Sequence, residues 1–248
     1  MSLATEVIGQ LVSDDGPMAE IRRRAADRAA SVVLCEGEDV RVVAAALALR
    51  ELGIARPVLL GPASGIRSLI AAEGADPGSV EILQASDSLR ATAAEFMFAR
   101  RGKKGLEPAQ SKSLAADPLF LGASLVGLGR VDAMVAGATR STADVVRAGL
   151  WCVGATEGIR TVSGSFLMLP PKGGRPLLFA DSAVVIEPDA DQLVDIAQAS
   201  AAMWRALFGT EPGIAALSFS TQGSADHPHA RKMALVAERL RECGLRAD

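Results

Sequence analysis

The sequence predicts an α/β protein of two three-layer αβα domains, in which helices cover both faces of mainly parallel sheets. One observation is that short apolar runs alternate with longer amphipathic stretches, which is typical of strand–helix–strand crossovers. A second is that runs such as residues 32–35 are apolar at every position rather than at alternate ones. Continuous apolar runs indicate strands buried on both faces, as parallel strands are.

The elements of the first domain are predicted from periodicity and from turn residues. Strands are expected at the short apolar runs, residues 32–35, 57–60, 80–83 and 133–136. Helices are expected over the amphipathic stretches, residues 40–52, 66–73, 88–101, 117–127 and 141–153, with Ser88 as a candidate cap. Residues 1–28 are weakly helical. In such a sheet, ligands bind outside the carboxyl ends of the strands.

The pattern changes after Gly158, and a boundary near Glu157 divides the chain into domains of residues 1–157 and 158–248. Strands are expected at residues 161–169, 177–180 and 214–219, and helices at residues 189–208 and 227–243. Residues 170–176, PPKGGRP, form a turn-rich connection between the first two of these strands.

Composition excludes several classes of protein. A formal net charge of −3 over 248 residues does not suggest a nucleic-acid binder. There is no apolar run long enough for a membrane span, and the first residues lack the order of a signal peptide, so a cytoplasmic protein is expected. The three distant cysteines, Cys35, Cys152 and Cys243, indicate buried thiols in a reducing compartment. With only His227 and His229 as histidines, no metal site is expected.

Residues 137–147, GATRSTADVVR, follow an apolar strand and open a helix. The first N–H groups of a helix have no intrahelical partner and carry partial positive charge, so this turn is a candidate anion site. Ser141 or Thr142 can cap the helix or offer a hydroxyl to a phosphate oxygen, and Arg147 adds a forked cation. A capped helix with a solvated arginine is the alternative that the segment alone leaves open.

Further runs follow this segment in a characteristic order. They are residues 162–168 (VSGSFLM), 177–184 (LLFADSAV) and 216–225 (ALSFSTQGSA), with residues 36–41 (EGEDVR) and 117–122 (DPLFLG) before them. In order and spacing they resemble the phosphate acetyltransferase and phosphate butyryltransferase family. The resemblance extends from near Met18 to near Leu245.

This resemblance implies reversible transfer of an acetyl or butyryl group between the thiol of coenzyme A and phosphate. Family members do this directly, without a covalent acyl-enzyme, in a cleft between two α/β domains. Acetyl-CoA or CoA, phosphate and acetyl phosphate are then the expected partners, CoA being a substrate, and no tightly bound cofactor is expected. A homodimer formed through the second domain is also implied.

The resemblance also implies roles for individual residues. Arg147 matches the motif arginine that serves the phosphate and the developing charge, and Arg100 lies where the family has a second active-site arginine, although its register with Arg101 is ambiguous. Ser141 and Thr142 are expected to hold phosphate. The remaining candidates are expected to bind substrate, with strand-end packing or a capped turn as the alternatives: Ser163, Ser165, Ser220, Thr221, Gly223 and Ser224.

The chain departs from the family pattern in three ways. Ala148 stands where proline is usual, and Gln222 where lysine is common. Family members continue beyond the position of Asp248, and that tail carries residues thought to deprotonate the thiol, so the second domain is expected to be incomplete and the activity of this chain uncertain.

The alternative function is a non-catalytic acetyl-CoA-sensing domain of the kind fused to malic enzymes. A nicotinamide-dependent dehydrogenase ranks last, because no Gly-x-Gly-x-x-Gly follows residues 32–35.

Overall fold

The computed structural model describes residues 2–12, 16–170, 174–220 and 224–248. They form two compact units, Met1–Gly154 and Ala155–Asp248. The first unit contains a parallel sheet covered by helices, and the predicted α/β class is confirmed.

The sheet of the first unit contains four parallel strands in the order β3-β2-β1-β4. They are β1 (Ser31–Leu34), β2 (Arg56–Leu60), β3 (Glu81–Leu83) and β4 (Ala133–Val135). The chain moves outward from β1 to β2 and β3, and then returns to the other side of β1 as β4. The strand order therefore reverses beside β1, and in open α/β sheets such a reversal opens a crevice where ligands bind.

Eight helices surround this sheet within the described part of the first unit: α1 (Leu3–Val12), α2 (Pro17–Arg28), α3 (Val40–Glu51), α4 (Ala63–Ala72), α5 (Asp87–Arg101), α6 (Pro108–Ala116), α7 (Pro118–Gly127) and α8 (Thr142–Cys152). The cap predicted for α5 is wrong by two residues: Ser86, not Ser88, accepts the hydrogen bond from the Leu89 N–H at 3.2 Å. Helix α6 was not predicted. It begins at a proline, and Gln110 Oε1 accepts from the Glu107 N–H at 3.1 Å.

Alternation along the central strands explains the three layers. Leu34 and Leu59 belong to the core formed with α3 and α4, whereas Val33 and Leu60 belong to the core formed with α5, α7 and α8. Successive side chains on a strand point to opposite faces, so strands that are apolar at every position need cover on both sides.

The second unit contains β5 (Ser165–Met168), β6 (Leu177–Ala180), α9 (Ala190–Phe208) and α10 (Pro228–Glu242). The two strands pair antiparallel, with Phe166 opposite Phe179, which differs from the predicted mainly parallel pairing. The reason is the short connection, residues 169–176, because parallel strands need a crossover of about a dozen residues or more.

The strand predicted at residues 214–219 is not found. Only Ile214 forms a bridge, with Ala247, and its N–H donates to the Arg246 carbonyl at 2.9 Å. Leu217 and Phe219 further along are 70% and 69% exposed. The described core of this unit lies instead between α9 and α10, where Val236 and Leu240 are buried.

Candidate active site

The turn between β4 and α8 lies at the carboxyl edge of the first sheet, as predicted. Gly137 begins the turn with φ +115°, a conformation that side chains with a Cβ rarely adopt. Ser141 is the N-cap of α8, and its Oγ accepts from the Asp144 N–H at 3.2 Å. The N–H groups of Thr142 and Ala143, in the first turn of the helix, have no intrahelical partner and face the exposed end of α8.

The backbone N–H groups of the turn itself bind an internal carboxylate. Glu36 accepts from the N–H groups of Gly137 at 3.0 Å, Ala138 at 3.1 Å and Thr139 at 2.8 Å, and from the Thr139 hydroxyl at 3.1 Å. Burial opposes ionisation of Glu36, but these hydrogen bonds outweigh it and lower the pKa of the carboxyl. The donors that remain for an external anion are therefore those at the start of α8.

Arg147 and Ser141 are brought together through Asp144. Arg147 Nη2 forms an ion pair with Asp144 Oδ1, and the Ser141 hydroxyl donates to Asp144 Oδ2 at 2.7 Å. The hydrogen bond from Ser141, followed by the charge of Arg147, lowers the pKa of Asp144. The Arg147 side chain is 53% exposed, so its guanidinium is held in place while it stays accessible.

Arg100 lies at the other end of α8. Its Nε donates to the Trp151 carbonyl at 3.3 Å and its Nη2 to the Val153 carbonyl at 3.1 Å. Arg101, the alternative in register, lies with its guanidinium carbon 5.0 Å from the centre of the Trp151 ring. The structure thus does not bring Arg100 together with Ser141 and Thr142. A cation that binds the last carbonyls of a helix stabilises the helix end.

A pocket of about 350 Å³ opens at the carboxyl edge of the same sheet. It is lined by the segments that follow β1, β2 and β4 and by the start of α7: Cys35, Glu36, Gly37, Glu38, Asp39, Leu60, Gly61, Pro62, Pro118, Leu119, Thr139 and Arg140. Arg140 forms an ion pair with Asp117 at 2.7 Å. The hydrogen bond from Arg41 lowers the pKa of Asp39 to about 2. Neither Arg147 nor Arg100 lines this pocket.

The buried thiols of the first unit are not suited to nucleophilic chemistry. Burial, with a contribution from the Glu36 and Asp117 carboxylates, raises the pKa of the Cys35 thiol to about 12. Burial also raises the pKa of Cys152, whose Sγ lies 3.5 Å from the Ser124 hydroxyl. The thiolate is the reactive form of cysteine, and burial disfavours that form at both side chains.

In the second unit, Ser163 and Ser165 flank a loop closed by Asp181. Ser163 is half-buried, and the Ser165 hydroxyl donates to Met203 Sδ at 3.4 Å. Between them, the Gly164 N–H donates to Asp181 Oδ1 at 2.7 Å. A Cβ on Gly164 would lie 2.6 Å from the Ser182 carbonyl oxygen, so this close approach requires glycine.

Ser220 and Ser224, two of the later candidates, lie close together. Ser220 Oγ accepts from the Ala225 N–H at 3.0 Å and lies 3.2 Å from Ser224 Oγ. Substrate binding by Ser220 and Ser224, with a capped turn as the alternative, stays a prediction. Thr221 and Gly223, also predicted to bind substrate, lie outside the described residues.

Replacing Asp181 with asparagine is expected to lower the free energy of unfolding of the second unit by about 2 kcal/mol at pH 7. The carboxylate accepts from Gly164 and also from the N–H groups of Val184 at 2.9 Å and Val185 at 2.8 Å, and an amide cannot accept on both sides. Burial opposes ionisation of Asp181, but these hydrogen bonds outweigh it and lower the pKa of the carboxyl.

The effect of this substitution should depend on pH. Because the folded pKa of Asp181 lies below the ordinary value of 3.8, its stabilisation is fully present above that value and is lost as the pH falls through the folded pKa. Urea unfolding of both proteins at pH 7 and near pH 3 measures this. The difference between them should shrink in acid, and an equal difference at both pH values would contradict the assigned role.

No group of three or more histidine, cysteine, aspartate and glutamate side chains in the described part of the chain is arranged to hold a metal ion. Among the helices that the structure describes, none combines the length and the apolar character needed to cross a lipid bilayer.

A comparison with protein-family models matches residues 17–244 to the phosphate acetyl/butaryl transferase family. The chain belongs to this family. Membership confirms the resemblance carried by the motifs, and with it the assignment of the chain to a family of acyltransferases.

Individual relatives agree with this membership. A phosphate acetyltransferase of Paracoccus denitrificans is 36% identical over 241 residues, which are 94% of this chain and 71% of the relative. One of Clostridium acetobutylicum is 37% identical over 78% of this chain and 60% of its own length. The crystal structure of a phosphotransacetylase from Streptococcus pyogenes superposes with a TM-score of 0.85 at 31% identity, covering 94% of this chain and 71% of that one. The chain thus spans between 60% and 71% of the length of these relatives.

Two residues that shape the site were not predicted as site residues. Glu36 and Asp144 both lie inside family motifs, but neither was assigned a role. Asp144 could have been found from its spacing, since residues three apart on a helix are neighbours and Arg147 follows it by three. Glu36 could not have been found from the sequence in this way, because its contact with the turn depends on β1 and β4 lying side by side.

Proposed function

We propose that the chain acts as a phosphate acyltransferase, which transfers an acetyl or butyryl group reversibly between coenzyme A and phosphate. The observation that carries this proposal is the start of α8, where the Arg147 guanidinium, the Ser141 hydroxyl and the first-turn N–H groups of the helix lie together in a chain of this family. The substrates are then acetyl-CoA or CoA, phosphate and acetyl phosphate, with no tightly bound cofactor.

The chemistry of phosphate fits this arrangement. Helix N-terminal N–H groups, the Thr142 hydroxyl and a guanidinium are all donors, and a phosphate oxygen is a strong acceptor. A guanidinium has five N–H donors, so the pairing of Arg147 with Asp144 leaves others for a ligand. Asp144 in this view orients Arg147 before phosphate arrives, which reduces the entropy lost on binding.

In the proposed reaction, a phosphate oxygen attacks the carbonyl carbon of the thioester. The carbonyl oxygen takes up negative charge, and the carbon–sulfur bond then breaks. The departing CoA thiolate takes up the proton that the attacking hydrogen phosphate gives up, so the products are acetyl phosphate and CoA thiol. Arg147 and the start of α8 stabilise the charge on the phosphate as the new bond forms. The raised pKa values of Cys35 and Cys152 support direct transfer rather than an acyl-cysteine intermediate.

Arg100, expected from the resemblance to be catalytic, is proposed instead to act on α8, because its described contacts are the carbonyls of Trp151 and Val153 and the Phe96 ring. For the second unit we propose that hydroxyls of the two serine motifs contact coenzyme A. Ser165 supports this, since a thioether sulfur is a weak acceptor that a ligand oxygen can replace. The other candidates are the hydroxyls of Ser163, Ser220, Thr221 and Ser224 and the backbone of Gly223.

A homodimer in the cytoplasm completes the proposal. The β5–β6 hairpin exposes a set of paired apolar side chains: Phe166 and Phe179 are 62% and 48% exposed, and Met168 and Leu177 are 51% and 48% exposed. Exposed apolar patches mark interaction surfaces, and a second copy of the chain is the proposed occupant. Cys35 and Cys152 are buried free thiols, which supports a reducing compartment, whereas Cys243 is exposed and the expectation that it is buried is wrong. Light scattering on the purified chain tests the dimer, and a monomer would contradict it.

Phosphate-dependent release of thiol from acetyl-CoA tests the function. Turnover that requires phosphate and yields acetyl phosphate supports the acyltransferase, and the ratio of rates with butyryl-CoA and acetyl-CoA identifies the acyl group. Tight binding of acetyl-CoA without phosphate-dependent turnover would instead favour the acetyl-CoA-sensing domain.

A further inference from the structure

We propose that Glu36 is a positioning residue for acyl transfer, which holds residues 137–139 so that α8 presents Arg147 and its first-turn N–H groups to phosphate. The inference rests on the proposed function. To that function the inference adds Glu36, a residue in the loop after β1, which acts through the backbone of the turn rather than on the substrate.

The strand register brings Glu36 to the turn. Leu34 on β1 pairs with Val135 on β4, so the chain two residues beyond each strand lies at the same edge of the sheet. There Glu36 meets Gly137, and its two carboxylate oxygens accept three successive backbone N–H groups at 2.8 to 3.1 Å. Successive N–H groups of this kind form a concave anion site, and here an internal anion fills it.

The other contacts of the turn leave this backbone dependent on Glu36. Arg41 donates to the Ala138 carbonyl at 3.0 Å, and the Arg140 side chain pairs with Asp117. Neither contact uses the N–H groups of residues 137–139. Without the carboxylate these groups would turn to solvent, and only Arg140 separates the turn from Ser141, the cap of α8.

Filling the turn with a carboxylate also decides where a phosphate can bind. An occupied anion site repels a second anion, so external phosphate is directed to the free donors one turn further along, at the start of α8 beside Arg147. Glu36 thereby sets both the conformation of the turn and the position of the substrate.

The test compares Glu36→Gln with Glu95→Gln. Glu95 lies on α5 and is exposed, and its carboxylate makes no hydrogen bond or ion pair within the described residues, so it controls for the loss of one charge. Glutamine at 36 keeps the shape but replaces an acceptor by a donor that faces N–H groups. We expect Glu36→Gln to raise the KM for phosphate about 10-fold, the KM for acetyl-CoA to change much less, and Glu95→Gln to change neither.

Two further measurements separate positioning from folding. Amide hydrogen exchange at residues 137–139 should become faster in Glu36→Gln and not in Glu95→Gln, with far-UV circular dichroism unchanged. Thr139→Val, which removes one hydroxyl donor and leaves Glu36 intact, should raise the KM for phosphate in the same direction by a smaller factor. Thr139→Val therefore tests the inference even if Glu36→Gln does not fold.

Equal effects of the two glutamine variants would overturn the inference, as would faster amide exchange with no change in the KM for phosphate. Absence of phosphate-dependent turnover by the unmodified chain contradicts the proposed function instead. In that case, calorimetric titration with inorganic phosphate measures the affinity for phosphate in place of KM. An affinity that Glu36→Gln lowers and the control variant does not supports the positioning role. A chain that binds no phosphate overturns both the positioning role and the proposed function.

Discussion

Replacing Arg147 with alanine is expected to slow phosphate-dependent acyl transfer by about two to three decades, roughly 3 to 4 kcal/mol of transition-state free energy. The guanidinium is the one cation described at the start of α8 that Asp144 fixes in an accessible position. Its removal leaves the charge on phosphate to uncharged donors, the helix N–H groups and the hydroxyls at the start of α8. Lysine at 147 keeps the charge but loses the planar fork, so Arg147→Lys should recover only part of the rate. Steady-state rates of thiol release from acetyl-CoA measure both variants.

The matched control for this substitution is Arg90→Ala. Arg90 also pairs with an aspartate three residues before it on a helix, Asp87 at 3.8 Å, but it lies on α5, away from the turn. Its replacement should leave the rate unchanged. A folded Arg147→Ala protein with the rate of the unmodified chain would remove Arg147 from the site, and equal losses in both variants would point to a general effect of charge.

Replacing Gly127 with alanine is expected to lower the free energy of unfolding of the first unit by about 2 kcal/mol, because overpacking of a close contact usually costs about 1 to 3 kcal/mol. Gly127 is the last residue of α7, and an added Cβ would lie 2.3 Å from the Cys152 carbonyl oxygen and 2.6 Å from the Phe96 ring. A backbone oxygen cannot move away without displacing the end of α8. Thermal unfolding followed by circular dichroism should show a lower midpoint.

Gly149→Ala provides the control for added volume. Gly149 lies inside α8, and a Cβ there would meet nothing within 4 Å, so alanine should raise stability by about 0.5 to 1 kcal/mol through its helix propensity. The two substitutions thus add the same methyl group but are expected to change the free energy of unfolding in opposite directions. A Gly127→Ala protein as stable as the unmodified chain would show that α7 and α8 can separate at low cost.

Much of the first unit could be predicted from local sequence, because its strands and helices satisfy strong local rules. The apolar run at residues 32–35 corresponds to β1, and Asp117 and Ser141 cap the helices predicted to begin beside them. The second unit was harder to predict. Residues 214–219 have the composition of a strand, but a strand needs a neighbour to pair with along its length. Among the described residues, the pairing is limited to the hydrogen bonds of Ile214 and Ala216 with residues 246–248.

The candidate site likewise contains residues that could be predicted from the sequence and a residue whose position could not. Ser141, Thr142 and Arg147 could be named from the sequence, since a strand-to-helix turn with hydroxyls and a following arginine is a local pattern. The position of Arg100 could not, because its partners Trp151 and Val153 lie about fifty residues away along the chain and meet it only where α5 packs on α8.

By itself, the sequence determined the α/β class, the family and the helix that carries Arg147, because apolar periodicity, caps and ordered motifs act over short distances along the chain. Only the tertiary structure decided what those pieces contact. The pairing of β1 with β4 places Glu36 on the turn that sequence analysis had assigned to phosphate, and the short connection makes the second unit's hairpin antiparallel. Contacts between strands and helices far apart in sequence depend on how the elements pack, and no local pattern encodes that packing.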